Sequence, residues 1–338
     1  MRVLVDGEHS SKAPVVSGVP QGTVLGPLLF LCYINDLPDS VKSQVRLFAD
    51  DCLLYRSILT YQDHLLLQED LKNLEAWAET WGMSFNADKC YVLSIKPKTS
   101  KFYELNNTIL KEVPSSLYLG VSLSNDLSFS THINNICSKA GSTLGFLKRN
   151  LQHSPPSLRR TAYIALVRSR LEYAATVWDP YCQGDIDKLE KIQRQAARFI
   201  AKDYRSRDPG CVTKMLETNN LSPLHLRRRD LRLTLLYKIS QGLLPSIKAD
   251  TYLTPIQNKR QISAKQFPDF ASNNIVANHQ NVNSKGFDVP YATTPQYKNS
   301  FFVRTLKEWN SLHEDVISAP SVESERIDTE RDNSCRDY

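Results

Sequence analysis

The chain has 338 residues, 41% of them apolar and 23% charged, which is the balance of a globular protein with room for two domains. No apolar run approaches the ~20 residues that a bilayer span requires, and the N-terminus carries no signal-peptide pattern, so no membrane partner is expected. Seven scattered cysteines without a C-x-x-C pair exclude a disulfide framework and a zinc knuckle, and point to reduced thiols in an intracellular protein, cytoplasmic or nuclear.

The net charge of +6 is unevenly spread. Residues 1–100 hold 9 basic and 12 acidic side chains, whereas residues 139–238 hold 20 and 9. An acidic first third before a basic middle suggests a cation site beside a surface for a polyanion. Solvated basic helix faces would give the same counts.

In chain order, Met1–Val5 and Pro14–Val16 read as short strands joined by a turn at Asp6-Gly7. Ser17 to Pro27 follows, with three glycines and two prolines in eleven residues, which makes a defined loop. Pro27 suits the first position of a helix over Leu28–Asp36, apolar on most sides and therefore expected to be buried. Its loop amides could face a phosphate or a base.

Arg46 to Tyr55 places Asp50-Asp51 between two apolar runs, the pattern of a hairpin with the acids at its turn. Adjacent carboxylates repel, and a hard divalent cation relieves the conflict. An ordinary solvated turn is the alternative. Gln62–Trp81 is amphipathic, with Leu67, Leu71, Leu74, Ala78 and Trp81 at helical spacing, and Gly82 stops it. Asn86–Lys89 is a turn before a strand at Cys90–Ile95, and Pro114–Leu123 is a second hairpin centred on Tyr118–Val121.

From Ser130 the period becomes helical. The spacing predicts helices over Ser130–Asn150, Ser157–Trp178 and Ile186–Lys202, then one from Pro223 to Gly242. Another covers Tyr297–His313. Apolar stripes on these helices are core, and their basic faces are candidates for backbone phosphates. The fold class is α+β.

The ordered motifs resemble the reverse transcriptases of non-LTR retrotransposons. They are Ser17-Gly18-Val19-Pro20-Gln21-Gly22, Leu25-Gly26-Pro27-Leu28-Leu29-Phe30, Tyr33-Ile34-Asn35-Asp36-Leu37-Pro38, Phe48-Ala49-Asp50-Asp51, Asn86–Lys89 and Tyr118-Leu119-Gly120. Arg170-Leu171-Glu172-Tyr173 and Leu189–Ile200 extend the likeness more loosely.

The resemblance implies a partial right-hand polymerase palm, an antiparallel sheet with helices, over residues 1–125. It implies a basic helical thumb or connection over 126–245. An irregular, partly disordered segment would fill 246–300, with a helix within 301–320 and a disordered tail over 321–338. It implies an RNA template, a DNA primer and deoxynucleoside triphosphates as partners, and Mg²⁺ as cofactor. Asp50 and Asp51 would hold the metal, Asp50 directly, and Lys89 would serve as a general acid toward pyrophosphate.

Gly18, Pro20, Gln21, Gly22, Phe48 and Ala49 would contact nucleotide and template, and Tyr118, Leu119 and Gly120 would grip the primer. Lys148, Arg149, Arg159, Arg160, Lys191, Arg194, Arg198, Arg227, Arg228 and Arg229 would track the nucleic-acid backbone. The family carries a further metal-binding aspartate upstream of the Ser17–Gly22 loop, and only 16 residues precede that loop here. Asp6 does not match its pattern. The expectation is therefore a polymerase domain truncated at its N-terminus, or alternatively an inactive remnant that still binds nucleic acid. A helical interaction protein without either property is the third reading.

Overall fold

The computed structural model describes residues 2–14, 18, 19, 21–95, 101–256 and 285–317. The chain divides into two compact units, Met1–Ser116 and Leu117–Tyr338, so the expected domain of residues 1–125 spans the division. Each unit is built around its own clusters of apolar side chains.

The first unit opens with a hairpin, β1 (Leu4–Val5) against β2 (Glu8–His9). Asp6 and Gly7 both have positive φ, as a two-residue turn of this kind requires. The first strand pairs with Glu8–His9, and of the strand expected at Pro14–Val16, Val15 and Val16 lie outside the described residues. Helix α1 (Leu25–Ile34) starts with Thr23, whose Oγ1 accepts the Gly26 N–H at 3.1 Å. The expectation that this helix is buried fails. Only Gly26 and Ile34 are buried, Phe30 is half-buried, and Leu25, Leu28, Leu29 and Leu31 are exposed. One stripe packs on the unit, and no described element covers the opposite one.

Next come β3 (Gln44–Phe48) and β4 (Asp51–Tyr55), paired antiparallel with Phe48 opposite Asp51. Directly opposed residues share a face. Val45, Leu47 and Leu54 accordingly pack on Ile34, Leu37, Leu74, Trp77 and Ala78. Helix α2 (Tyr61–Thr80) supplies the last three, and it begins with a capping box between Thr60 and Asp63. Two short pairings finish the unit's described strands: β5 (Tyr91–Val92) runs parallel to β8 (Lys111–Glu112), and β6 (Glu104–Leu105) pairs with β7 (Thr108–Ile109).

A further hairpin, β9 (Ser115–Tyr118) and β10 (Val121–Ser124), stands at the division. Among the described residues the strands form separate two-stranded sheets rather than the single antiparallel sheet expected from the sequence. The class is mixed helix and strand, as expected.

The second unit is helical. Helix α3 (Ser130–Asn150) leads into α4 (Pro156–Tyr163), a π-helical turn at Ile164–Arg168, then α5 (Ser169–Glu172) and α6 (Ala175–Trp178). The single helix expected over Ser157–Trp178 is therefore interrupted twice. Ala174 is left-handed at φ +51°, and the Trp178 indole N–H donates to the Tyr173 carbonyl at 2.8 Å, which turns the chain there.

Helix α7 (Gln183–Ala201) packs along α3, where the Asp185 carboxylate accepts from the Ser130 hydroxyl at 2.6 Å. Tyr163, Val167, Leu171, Trp178, Leu189 and Ile200 are fully buried between these elements. A buried leucine of this kind contributes about 1.5–3 kcal/mol. Buried Gln193 is satisfied on both sides, accepting from the Tyr163 hydroxyl and donating to the Ser222 carbonyl, each at 2.9 Å.

After α8 (Cys211–Thr218), helix α9 (Leu224–Ser240) joins a second cluster with α10 (Ala249–Tyr252), α12 (Phe301–Asn310) and α13 (Glu314–Ile317), and the short α11 (Pro295–Lys298) leads into α12. Leu233, Leu236, Ile239, Leu306 and Trp309 are its centre. Much of the expected irregular segment, at 257–284, and all of the expected tail lie outside the described residues. Among the described residues no helix is long and apolar enough to cross a membrane.

One carboxylate holds the joint between the two clusters of this unit. Asp179 Oδ1 accepts from Arg228 Nε at 2.6 Å, and Oδ2 accepts from Arg232 Nε at 2.9 Å and lies 3.3 Å from Arg304 Nη1. Arg228 and Arg232 are buried. Removing one partner of such a set leaves uncompensated buried charge. Asp179→Ala should therefore lower unfolding free energy by about 3–5 kcal/mol, measured by urea denaturation.

Buried His132 gives a second test. Its Nδ1 accepts the Ser122 N–H at 3.3 Å, and burial, assisted by nearby Lys139, holds its pKa below the usual value. The unfolded chain therefore binds this proton first as pH falls through ~6.5, and the folded state loses stability below that point. Wild type should lose more stability between pH 7 and pH 5 than His132→Gln, in urea titrations at both values.

Candidate active site

The hairpin of β3 and β4 brings Phe48, Ala49, Asp50 and Asp51 to one exposed tip. The two turn residues are Ala49 and Asp50. Ala49 has φ +50°, a left-handed conformation that a non-glycine residue seldom adopts. Asp51 lies opposite Phe48, on the exposed side of the ribbon. The next residue, Cys52, lies opposite Leu47 on the packed side.

Two supports that the sequence reading missed fix this ribbon. Asp70 on α2 is fully buried and accepts the backbone N–H groups of Lys42 and Ser43, one on each carboxylate oxygen, both at 2.8 Å. It thus holds the chain where it turns into β3. Asp36 accepts the Trp77 indole N–H at 3.1 Å, which ties the end of α1 to α2. An acid in the middle of an amphipathic helix, among apolar neighbours, was the available signal for Asp70.

Lys89 ends a 3₁₀ turn at Ala87–Lys89 and is exposed. Its neighbour Cys90 lies near Cys52. Burial, together with the Cys90 thiol, pushes the Cys52 thiol up to about 11.

In the loop before α1, Gly18 and Gly22 have φ of +86° and +76°, and a Cβ at either would meet no atom within 4 Å. Their glycines answer to backbone conformation and not to packing. Gln21 is exposed, and Pro20 lies outside the described residues. Tyr118, Leu119 and Gly120 come together at the β9–β10 turn.

Mg²⁺ prefers several oxygen ligands and a carboxylate set. Among the described residues no three His, Cys, Asp or Glu side chains gather as a metal site would require. Asp50 and Asp51 alone do not make up such a set.

The basic candidates separate by burial. Arg149, Lys191 and Arg194 are exposed. Lys148 is half-buried, 5.9 Å over the Tyr204 ring, and burial lowers its pKa. Others serve the interior, contrary to expectation. Arg159 is buried and donates to the Phe199 carbonyl at 2.8 Å. Arg160 donates to the Asn219 carbonyl at 2.6 Å, and Arg198 to those of Asp203 and Ser206 at 3.2 and 3.0 Å. Arg227 forks onto Glu172, Arg228 donates to Asp179 through Nε alone, and half-buried Arg229 reaches Asp230 at 3.4 Å. Arginine's planar fork suits carbonyls and carboxylates inside a fold as well as phosphates outside it.

Residues 2–123 match the family of reverse transcriptases, RNA-dependent DNA polymerases. Over 204 residues the chain is 29% identical to a probable RNA-directed DNA polymerase from transposon X-element of Drosophila melanogaster, covering 56% of this chain and 22% of that protein. It is 35% identical over 149 residues to the RNA-directed DNA polymerase from mobile element jockey of the same organism, covering 40% and 16%. A putative 115 kDa protein in type-1 retrotransposable element R1DM, also of Drosophila melanogaster, is 28% identical over 225 residues, covering 62% and 21%. The chain therefore spans about a fifth of the length of these curated relatives. No solved structure matches it. The order of the motifs, the acid pair at a hairpin tip and these likenesses agree: residues 2–123 are similar to the reverse transcriptases of non-LTR retrotransposons.

Proposed function

We propose that the chain acts in RNA-templated synthesis of DNA, with its first unit as part of the palm and its helical unit as the thumb. The single observation that supports this most is the tip itself. Asp50 and Asp51 are exposed together at the end of a ribbon whose base is held by buried Asp70. Exposure leaves both carboxylates able to bind a cation, and the ribbon fixes where they stand. When bound, Mg²⁺ would stabilise the charge that develops on the attacking and leaving oxygens. Asp50, in the turn, is the direct ligand in this reading, and Asp51 supports it. Lys89 is the proton donor toward pyrophosphate. Gly18, Pro20, Gln21 and Gly22 shape the loop beside template and nucleotide.

The separation of the basic side chains refines the backbone contacts. Arg149, Lys191 and Arg194 are proposed as the phosphate contacts, because their charged ends are in water. Three such contacts imply a fall in affinity of roughly 40-fold between 50 and 200 mM salt.

The second reading, a nucleic-acid-binding domain without catalysis, is favoured by one observation: the described residues bring only two carboxylates to the tip. A primer-extension assay with an RNA template, a DNA primer and Mg²⁺ separates the two. Catalysis by this chain predicts extension that drops on the order of 100-fold or more in Asp50→Ala. Extension equal in wild type and Asp50→Ala would overturn the assignment of the tip. No extension in either, with salt-sensitive binding of the RNA–DNA duplex retained, selects the second reading. In both cases Lys191→Gln with Arg194→Gln should reduce the slope of log affinity against log salt by about 2, measured by fluorescence anisotropy.

A further inference from the structure

The turn between β9 and β10 holds two consecutive residues at positive φ, Leu119 at +46° and Gly120 at +81°. Glycine accepts this freely, but a bulky residue such as leucine does so only where its surroundings over-determine the backbone. Tyr173 provides those surroundings. Its hydroxyl donates to the Leu119 carbonyl at 3.0 Å. Its ring lies against Gly120, where a Cβ would stand 3.1 Å from Cε1. A single side chain thus fixes the carbonyl of one turn residue and the closest approach of the other.

Tyr173 is itself held from behind. Its carbonyl accepts from the Trp178 indole at 2.8 Å. Glu172, the residue before it, is engaged by Arg227 and Arg168. Trp178 is completely buried, and its ring meets that of His132 at 5.3 Å between centroids. His132 returns to the same hairpin, accepting the Ser122 N–H in β10. Two arms therefore leave Trp178 and grasp one hairpin, at its turn and along its second strand. Tyr173 is 57% exposed, so burial of its ring is not what the position provides.

We infer that Tyr173 is a positioning residue that sets the Leu119–Gly120 turn, with Trp178 and His132 bracing the same hairpin, so that a fixed turn is presented to the primer strand. The primer-facing part rests on the function proposed above and on the primer grip that the family resemblance implies for Tyr118–Gly120, whereas the bracing of the turn stands on the hydrogen bonds alone.

Two readouts on the full chain keep these parts distinguishable. The first is hydrogen exchange by mass spectrometry in peptides covering residues 118–122. Tyr173→Phe keeps the ring and loses the hydroxyl, and exchange there should rise roughly tenfold while peptides from α3 stay unchanged. Adding Leu119→Asn, a residue that tolerates the left-handed conformation, should restore slow exchange. Unchanged exchange in Tyr173→Phe overturns the inference. The second readout compares binding of an RNA–DNA duplex with a recessed DNA 3′ end against a blunt duplex of equal length. Loss of the recessed-end preference in Tyr173→Phe, with blunt binding unchanged, supports the primer-facing part. A loosened turn that keeps the preference, or a wild type that never shows it, overturns that part and leaves the bracing to the exchange result.

Discussion

The helical unit depends on the placement of one negative charge. Asp179 follows directly on Trp178, the bulkiest side chain of the first apolar cluster, and faces three arginines from α9 and α12 of the second. A carboxylate offers about four lone-pair sites, enough to receive several guanidinium groups at once. Arg232 spends its remaining donors on Thr305 and Glu308, so α9 and α12 are joined a second time. Buried ion pairs are poor sources of net stability, because desolvation offsets attraction, but they penalise every arrangement in which a partner is missing. Asp179 therefore acts less as added stability than as a demand that α6, α9 and α12 meet in one geometry.

That role explains why the arginine run on α9 is ambiguous in the sequence. Arg227, Arg228, Arg229 and Arg232 have the composition of a phosphate-binding face. Their helix, however, carries leucines on most sides and is enclosed by neighbours, so Arg227, Arg228 and Arg232 point into carboxylates contributed from far along the chain. Residue type and helical spacing cannot reveal a partner 50 positions away. The helices themselves were legible, because period and caps are local. The helix ending at Asn150 follows from its period, although Ser130, expected as its cap, is its first residue, and the hairpins at Asp50 and at Leu119–Gly120 follow from apolar runs around turn residues. The interruption of Ser157–Trp178 was not legible, since no proline or glycine marks it.

At the acid tip the same contrast holds. The pair Asp50-Asp51 and its turn are local facts of sequence. The brace beneath them is not. Asp70 reads as one more polar residue on an amphipathic helix until its two hydrogen bonds to Lys42 and Ser43 are seen. The exposed stripe of α1 was misjudged for a related reason. Its leucines gave a correct account of composition, but burial depends on what else is present to cover them.

The π-helical turn at Ile164–Arg168 has a consequence for how this region could have arisen and how it can change. Such a turn is in effect one residue inserted into an α-helix. Each residue of helix advances the side-chain direction by about 100°. Without the extra residue, everything C-terminal to it would be rotated by that amount, and Leu171 and Tyr173 would exchange core and hairpin for other directions. A single-codon deletion between Ile164 and Arg168 would thus be a regular helix by local standards and a misregistered one by every contact downstream. The irregular turn is what keeps the two halves in phase, and it makes this short stretch intolerant of length change even where individual side chains could vary.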